Sequence, residues 1–185
     1  RYNFMIPLVT PLDCEEKSLA VDPYVLGVWL GDGTNTVGHI CAAKADRITL
    51  DEVRKHYRDG SEWIHKDTGV ITASYKGLYK DLQNYGMCYS RKRTEKHIPQ
   101  EYLTASKRQR LELLAGLIDT DGYVDHKHNR IVFTTADEYL RFSFEELIAT
   151  FGWRTTTCEC KPILSTSGIQ GKKAYWQIAF NPTEE

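Results

Sequence analysis

Residues 114–122 read Leu-Ala-Gly-Leu-Ile-Asp-Thr-Asp-Gly, an apolar run that ends in Asp-Gly. Residues 25–33 read Val-Leu-Gly-Val-Trp-Leu-Gly-Asp-Gly, with glycine again at the third position, apolar residues at the fourth and fifth, and the same Asp-Gly ending. A pattern that recurs in this way indicates an internal structural repeat. Asp32 and Asp121 therefore occupy equivalent positions, and each is predicted to end an apolar helix.

The glycines of the two stretches predict how these helices pack. Glycine inside a helix costs about 1 kcal/mol relative to alanine, so Gly27 and Gly116 are expected where two helix backbones approach closely. The two helices are therefore predicted to lie side by side with these glycines in contact. Gly33 and Gly122 are predicted to end the helices in the left-handed conformation that glycine adopts readily.

This packing would bring the Asp32 and Asp121 carboxylates together at two helix C-termini. Such ends carry partial negative charge, so two carboxylates there repel each other unless a cation is present. Hard oxygen ligands suit Mg²⁺ or Mn²⁺, and we expect such ions to be bound by Asp32, Asp121 and the main chain of Gly31 and Thr120. Paired ions of this kind hydrolyse phosphodiester bonds. One Asp-Gly alone would indicate only a turn, but two copies in matched helices favour a metal site.

The remaining patterns predict an α+β fold with mostly antiparallel strands. Helices are predicted at residues 49–58, 78–86, 106–120 and 137–151, and strands at 37–43, 62–65, 70–75, 123–126, 131–135, 154–161 and 174–180. Asp22-Pro23 is typical of a helix N-cap followed by proline. We divide the chain into a strand and linker from a neighbouring region (1–21), a first repeat (22–105) and a second repeat (106–185) whose final helix is missing.

Composition and charge narrow the possible classes of protein. The chain is 41% hydrophobic and has no apolar run of about 18 residues, which indicates a globular protein without a membrane span. Its five cysteines contain no Cys-x-x-Cys pair and are expected to be free thiols of an intracellular protein. The net charge is -1, unlike that of most DNA-binding proteins. Basic residues are nevertheless concentrated in one stretch, as Arg91, Lys92, Arg93, Lys96, Lys107, Arg108 and Arg110. This stretch is either a phosphate-binding surface or an ordinary solvated loop and helix face.

The second stretch is similar to the signature of the LAGLIDADG homing endonucleases, matching eight of its nine letters. The first stretch resembles the more degenerate first copy, and the resemblance covers residues 20–181. It is nearest to the double-motif endonuclease domains of fungal inteins such as that of the vacuolar ATPase. Residues 96–99, Lys-His-Ile-Pro, resemble a segment of those domains whose lysine lies in the active site. The resemblance implies two αββαββα-type repeats related by a pseudo-twofold axis, saddle-shaped sheets over DNA, catalysis by Asp32, Asp121 and Lys96, and short 3′ overhangs as products.

The same resemblance implies contacts between the sheets and double-stranded DNA. The candidates are basic residues in or beside the predicted strands and in the basic stretch: Lys44, Arg47, Lys76, Arg91, Lys92, Arg93, Lys127, Arg130, Arg154, Lys161, Lys172 and Lys173. They would mostly hold phosphates, whereas a few other polar side chains would read bases. A chain with both motifs completes its own twofold site, so we expect a monomer. We also expect a splicing domain in the full-length protein and an intracellular location, in the nucleus if the source is a fungus.

Three features depart from the intein pattern. Residue 1 is arginine rather than the cysteine or serine that splicing requires, and the chain does not end in His-Asn. A second active-site lysine would fall beyond Glu185. We therefore expect a fragment of a longer protein that does not splice by itself. Two alternatives to a nuclease stay open: a DNA- or RNA-binding module of the same family, such as a maturase or regulator, and a protein-splicing element.

Overall fold

The computed structural model describes residues 9–89, 94–162 and 173–182. Six α-helices and seven β-strands lie in this part of the chain, with a short 3₁₀ turn at Lys44–Asp46. The helices are α1 (Pro23–Asp32), α2 (Arg47–Val53), α3 (Leu78–Gln83), α4 (Gln100–Leu103), α5 (Lys107–Asp121) and α6 (Glu138–Ala149). The strands are β1 (Ile40–Ala42), β2 (Asp59–Ile64), β3 (Ile71–Tyr75), β4 (Gly122–Asp125), β5 (Arg130–Thr135), β6 (Thr155–Cys160) and β7 (Tyr175–Phe180).

Both motif helices begin with side-chain caps. The Asp22 carboxylate accepts hydrogen bonds from the main-chain nitrogens of Tyr24 and Val25, at 3.0 and 3.3 Å, and Pro23 is the first residue of α1. Ser106 and Gln109 form a reciprocal capping box at the start of α5. Such caps satisfy main-chain donors that a helix leaves unpaired, so they define where each helix starts. The N-caps predicted from Asp22-Pro23 and Ser106 are confirmed.

Helices α1 and α5 pack against each other through Gly27 and Gly116. A methyl group on Gly27 would lie 3.0 Å from Cα of Gly116, and one on Gly116 would lie 3.1 Å from Cα of Gly27. Both distances are shorter than the usual separation of non-bonded carbons. Only glycine therefore allows this approach, as the sequence predicts.

The prediction of left-handed glycines at the two helix ends is wrong. Gly33 has φ -80° and ψ 153°, and Gly122 has φ -110° and ψ 165°, so both are extended. Glycine is needed there for space. A methyl group on Gly33 would overlap the indole and carbonyl of Trp29, and one on Gly122 would lie 2.6 Å from Cα of Ile118. The chain passes directly from each helix into the sheet beside it.

Each repeat contributes one antiparallel sheet. The first sheet has the strand order β1-β3-β2 and the second β4-β5-β7-β6. In both halves the glycine after the motif aspartate pairs with the strand that follows: Gly33 with Ile40, and Gly122 with Phe133. Buried apolar residues of β1, β3, β5 and β7 form one core with α1 and α5, whereas β2, β4 and β6 contain no buried residue. The fold class predicted from the sequence, an α+β arrangement of two similar halves with antiparallel sheets, is confirmed.

Residues 9–22 contain neither helix nor strand, so the strand predicted before Pro23 is absent from them. They run instead across the second repeat. The main chain of Lys17 exchanges hydrogen bonds of 2.9 and 2.6 Å with the Gln109 amide, and Leu12 N donates to Thr150 O at 2.8 Å. The fully buried Arg110 donates to the carbonyls of Ala105, Thr150 and Leu12. Arg110 is therefore a structural residue and not part of the exposed basic surface that the sequence allows.

The described segments contain no helix that is long and apolar enough to cross a bilayer. All five cysteines are free thiols.

Candidate metal and nucleic-acid site

The C-terminal ends of α1 and α5 lie side by side. A methyl group on Gly31 would overlap the side chain of Thr120, so the last turns of the two helices are in direct contact. Asp32 and Asp121 are the last residues of these helices. The structure therefore brings together the two aspartates that the sequence repeat singles out, along with the two residues whose main chain is predicted to bind metal.

The Asp121 carboxylate lies close enough to Asp32 to affect the ionisation of Asp32. Burial, and after it the charge of Asp121, raises the pKa of Asp32 to about 6 against the opposing charge of Lys96. Asp121 is open to solvent on one side, but the protein around its carboxylate displaces water and raises its pKa, again opposed by Lys96. Such a site favours a cation, because a nearby positive charge stabilises both ionised carboxylates.

Lys96 supplies one positive charge to this site. Its side chain is buried, and Nζ donates to the carbonyl oxygens of Leu30 at 2.9 Å and Gly31 at 3.0 Å. The ammonium also lies 5.2 Å from the centre of the Trp29 ring. Burial lowers the pKa of Lys96 to about 8, whereas Asp121 and Asp32 favour its charged form. The lysine predicted from the Lys-His-Ile-Pro segment thus caps the C-terminus of α1 beside both aspartates.

The donor set at this centre fits a hard divalent ion. Asp32 and Asp121 provide carboxylate oxygens, and Gly31 and Thr120 provide carbonyl oxygens at the helix ends. The described ranges contain no group of three or more His, Cys, Asp and Glu side chains that could hold a metal. A site with two carboxylates suits Mg²⁺ or Mn²⁺, which keep water ligands and bind substrate phosphates. It does not suit a structural zinc ion, which needs four close ligands.

A cavity of about 390 Å³ opens beside Asp121 on the second repeat. Lys96, Gly31 and Asp121 line it. The sequence did not connect its other lining residues, which include Asn35, Asp137, Lys173 and Tyr175, to the predicted metal site. Asp137 accepts a hydrogen bond from the main-chain nitrogen of Lys96 at 3.2 Å and caps α6. Its only signal in the sequence is that of a helix start, which carries no information about this position.

The outer faces of the two sheets carry polar and aromatic side chains. On the first sheet, Trp63 donates to His65 at 3.2 Å, and Thr72 Oγ1 lies 3.1 Å from His65 and 3.5 Å from Cys41. At the far end of the second sheet, a cavity of about 430 Å³ is lined by Arg130 and Arg154, among others. These faces offer hydrogen-bonding groups in the middle and positive charge at the periphery.

The structure places the predicted DNA-binding residues in different surroundings. Exposed side chains at strand ends and in turns are those of Lys44, Lys76, Lys127, Arg154, Lys161 and Lys173. Arg130 pairs with Asp125 at 3.0 Å, and Arg47 pairs with Glu62 at 3.0 Å. Arg91, Lys92, Arg93 and Lys172 lie outside the described residues.

Comparisons with known proteins agree with this architecture. Residues 108–176 match the family described as the LAGLIDADG-like domain. A variant of the homing endonuclease I-DmoI in complex with its target DNA and manganese has a TM-score of 0.55 at 15% identity, over 86% of each chain. I-DmoI in complex with DNA and calcium has a TM-score of 0.53 at 15% identity, over 88% of this chain and 83% of that one. The chain has the LAGLIDADG homing endonuclease fold.

Only the second motif lies within the matched LAGLIDADG-like residues. The first stretch lies outside them, but α1 packs on α5 at Gly27 and Gly116, and both helices end in Asp-Gly. Among curated proteins, the replicative DNA helicase DnaB of Mycobacterium intracellulare is 32% identical over 183 residues. The match covers 99% of this chain and 27% of that protein, so the chain spans about a quarter of the length of this relative.

Proposed function

We propose that the chain is a homing endonuclease that cleaves both strands of a specific DNA site with the help of divalent metal ions. The observation that carries the proposal is the contact between two LAGLIDADG-type helix ends, which places Asp32, Asp121 and Lys96 at one centre. I-DmoI, which shares the fold, binds target DNA in the presence of metal ions.

Each central residue has a role in this proposal. Asp32 and Asp121, with the carbonyls of Gly31 and Thr120, hold Mg²⁺ or Mn²⁺. Such ions activate water and stabilise the leaving oxygen in phosphodiester hydrolysis. The Lys96 ammonium stabilises negative charge on the phosphate as it is attacked. The two halves cut opposite strands and leave short 3′ overhangs.

The outer faces of the two sheets hold the DNA. Basic residues at their periphery, including Arg154 and Lys76, bind phosphates, and the neutral side chains between them contact base edges in the major groove. Both motif helices belong to one chain and pack together without a second copy. The active form is therefore a monomer.

The chain is proposed to be carried within a longer intracellular host protein, as an intein endonuclease is. Its likeness to about a quarter of a replicative DNA helicase supports a helicase host. The resemblance to vacuolar ATPase inteins would instead suggest a fungal host, but we favour the helicase host. The target would then be the host gene without the insertion.

Plasmid cleavage tests the function. A plasmid that carries the uninterrupted helicase gene should be linearised by the protein with Mg²⁺ and left intact with EDTA. A plasmid that already contains the insertion should resist cleavage. If the protein binds the first plasmid but never cuts it, with Mg²⁺ or Mn²⁺, the chain is a binding module and the nuclease proposal is wrong. A separate experiment tests the splicing alternative: if the chain is expressed between two flanking protein sequences and these become ligated, it is a splicing element.

A further inference from the structure

The two helix ends at the metal site are not equivalent, although the repeats that supply them are similar. The α1 carbonyls of Leu30 and Gly31 accept hydrogen bonds from Lys96. Within the described segments, no side chain donates to the corresponding α5 carbonyl of Thr120. One predicted metal ligand therefore already binds a cation of the protein itself, and its counterpart does not.

Lys96 is held firmly in this position. Its main-chain nitrogen donates to Asp137, and Ile98 N, two residues later, donates to Ser143 Oγ at 3.0 Å. These contacts fasten the segment around Lys96 to α6 of the second repeat while the side chain reaches α1 of the first. The ammonium is buried against Trp29, so it has little room to move away from the Gly31 carbonyl.

The cavity of about 390 Å³ beside Asp121 is lined by Lys96, Gly31 and Asp121 but not by Asp32. An ion in this cavity would therefore bind the Gly31 carbonyl together with Asp121. A divalent ion that bound the Gly31 carbonyl there would be at most about 5 Å from the ammonium, since Mg²⁺ binds oxygen at about 2.1 Å and Nζ lies 3.0 Å from this oxygen. Like charges at that separation repel strongly in a partly buried site.

We infer that Lys96 and a divalent ion compete for the Gly31 carbonyl, so that the half of the site beside Asp121 takes up its ion less readily than the half beside Asp32. The inference rests on the proposed function, because it assumes that the two helix ends bind metal. Lys96 then acts as a resident cation that neutralises the carboxylates and sets the order of metal loading.

Mn²⁺ binding to the DNA-free protein, measured by electron paramagnetic resonance, tests this competition. The wild-type protein should bind one ion at least tenfold more tightly than a second. Lys96→Met should tighten the weaker site at least tenfold, and adding Asp121→Asn should remove that gain. Lys96→Gln removes the charge but keeps a hydrogen-bond donor for the Gly31 carbonyl. This variant replaces Lys96→Met in the experiment if Lys96→Met does not fold. Lys107→Met, at the exposed start of α5, is the matched control and should change nothing.

The possible results separate this inference from the nuclease proposal. If the wild-type protein and both Lys96 variants bind two ions with the same pair of affinities, the competition is refuted, while the metal-dependent nuclease stands. If none of the proteins binds Mn²⁺ at millimolar concentration, with or without target duplex, both proposals are wrong.

Discussion

Replacing Gly116 with alanine should disturb the proposed metal site from about one and a half helical turns away. The added methyl group would lie 2.8 Å from Val28 N, 3.1 Å from Cα of Gly27 and closer still to the Tyr24 carbonyl. All three neighbours are main-chain atoms, so no side chain can rotate aside. Ordinary contact begins near 3.5 Å, so α1 and α5 must separate by roughly 1 Å.

This separation has a cost in stability and in activity. Overpacking costs up to about 3 kcal/mol, and alanine recovers about 1 kcal/mol of helix propensity. The net loss of about 2 kcal/mol lowers the Tm by about 4–8 °C for a chain of this size. Moving Asp121 away from Asp32 by about 1 Å lowers the cleavage rate by about 10²-fold.

The assay combines thermal unfolding with single-turnover cleavage of the target plasmid. Ala115→Gly is the matched control, because Ala115 is the exposed neighbour of Gly116 on α5. It should lower stability by about 1 kcal/mol and leave the cleavage rate unchanged. If Gly116→Ala cuts at the wild-type rate, or if Ala115→Gly loses as much activity, the helix contact does not position the aspartates.

Three further predictions follow from the contacts and charges of the site and its scaffold. The folded-state pKa of Asp32, about 6, lies above its ordinary value of 3.8, so ionisation of Asp32 opposes folding. The metal-free protein should therefore lose stability as pH rises from about 4 through 6. In EDTA, Asp32→Asn should raise the Tm at pH 7.5 but hardly at pH 4, and an equal rise at both pH values would contradict the raised pKa. Arg110→Met should cost about 3 kcal/mol in urea unfolding, because three carbonyls, two of them buried, lose a charged donor. The exposed Arg108→Met should leave the unfolding curve nearly unchanged, and similar losses in the two variants would mean that Arg110 has no special role. The affinity for duplex DNA should fall steeply as the salt concentration rises. Arg154→Gln should reduce the slope of log affinity against log salt concentration by about 0.9, the value for one phosphate contact. Lys55→Gln, on the helix side, should leave this slope unchanged, and the same result for Arg154→Gln would exclude Arg154 from the interface.

Local chemistry made the motif helices predictable. Asp22-Pro23 and Ser106 act on main-chain groups within three residues of themselves, and Gly27 and Gly116 make sense only where helices touch. The two Asp-Gly endings and this contact together were enough to place Asp32 and Asp121 side by side.

Features that depend on distant packing were not predictable. Gly33 and Gly122 looked like left-handed helix ends, but the space they leave is taken by Trp29 and Ile118 of their own helices. Arg110 reads as one more member of a basic stretch, and only the fold shows that residues 9–22 and α6 enclose it. Asp137 joins the site through a contact with Lys96 from the other repeat, which no local pattern reveals.

In the proposed mechanism, Asp32 and Asp121 hold divalent ions between two helix ends, next to DNA. The most direct test is the anomalous diffraction of Mn²⁺ in crystals of the protein with its target duplex. We expect anomalous peaks at bonding distance from the carboxylates of both Asp32 and Asp121, with Lys96 beside the scissile phosphate. Cleaved DNA in a crystal whose Mn²⁺ peaks lie away from both aspartates would contradict it.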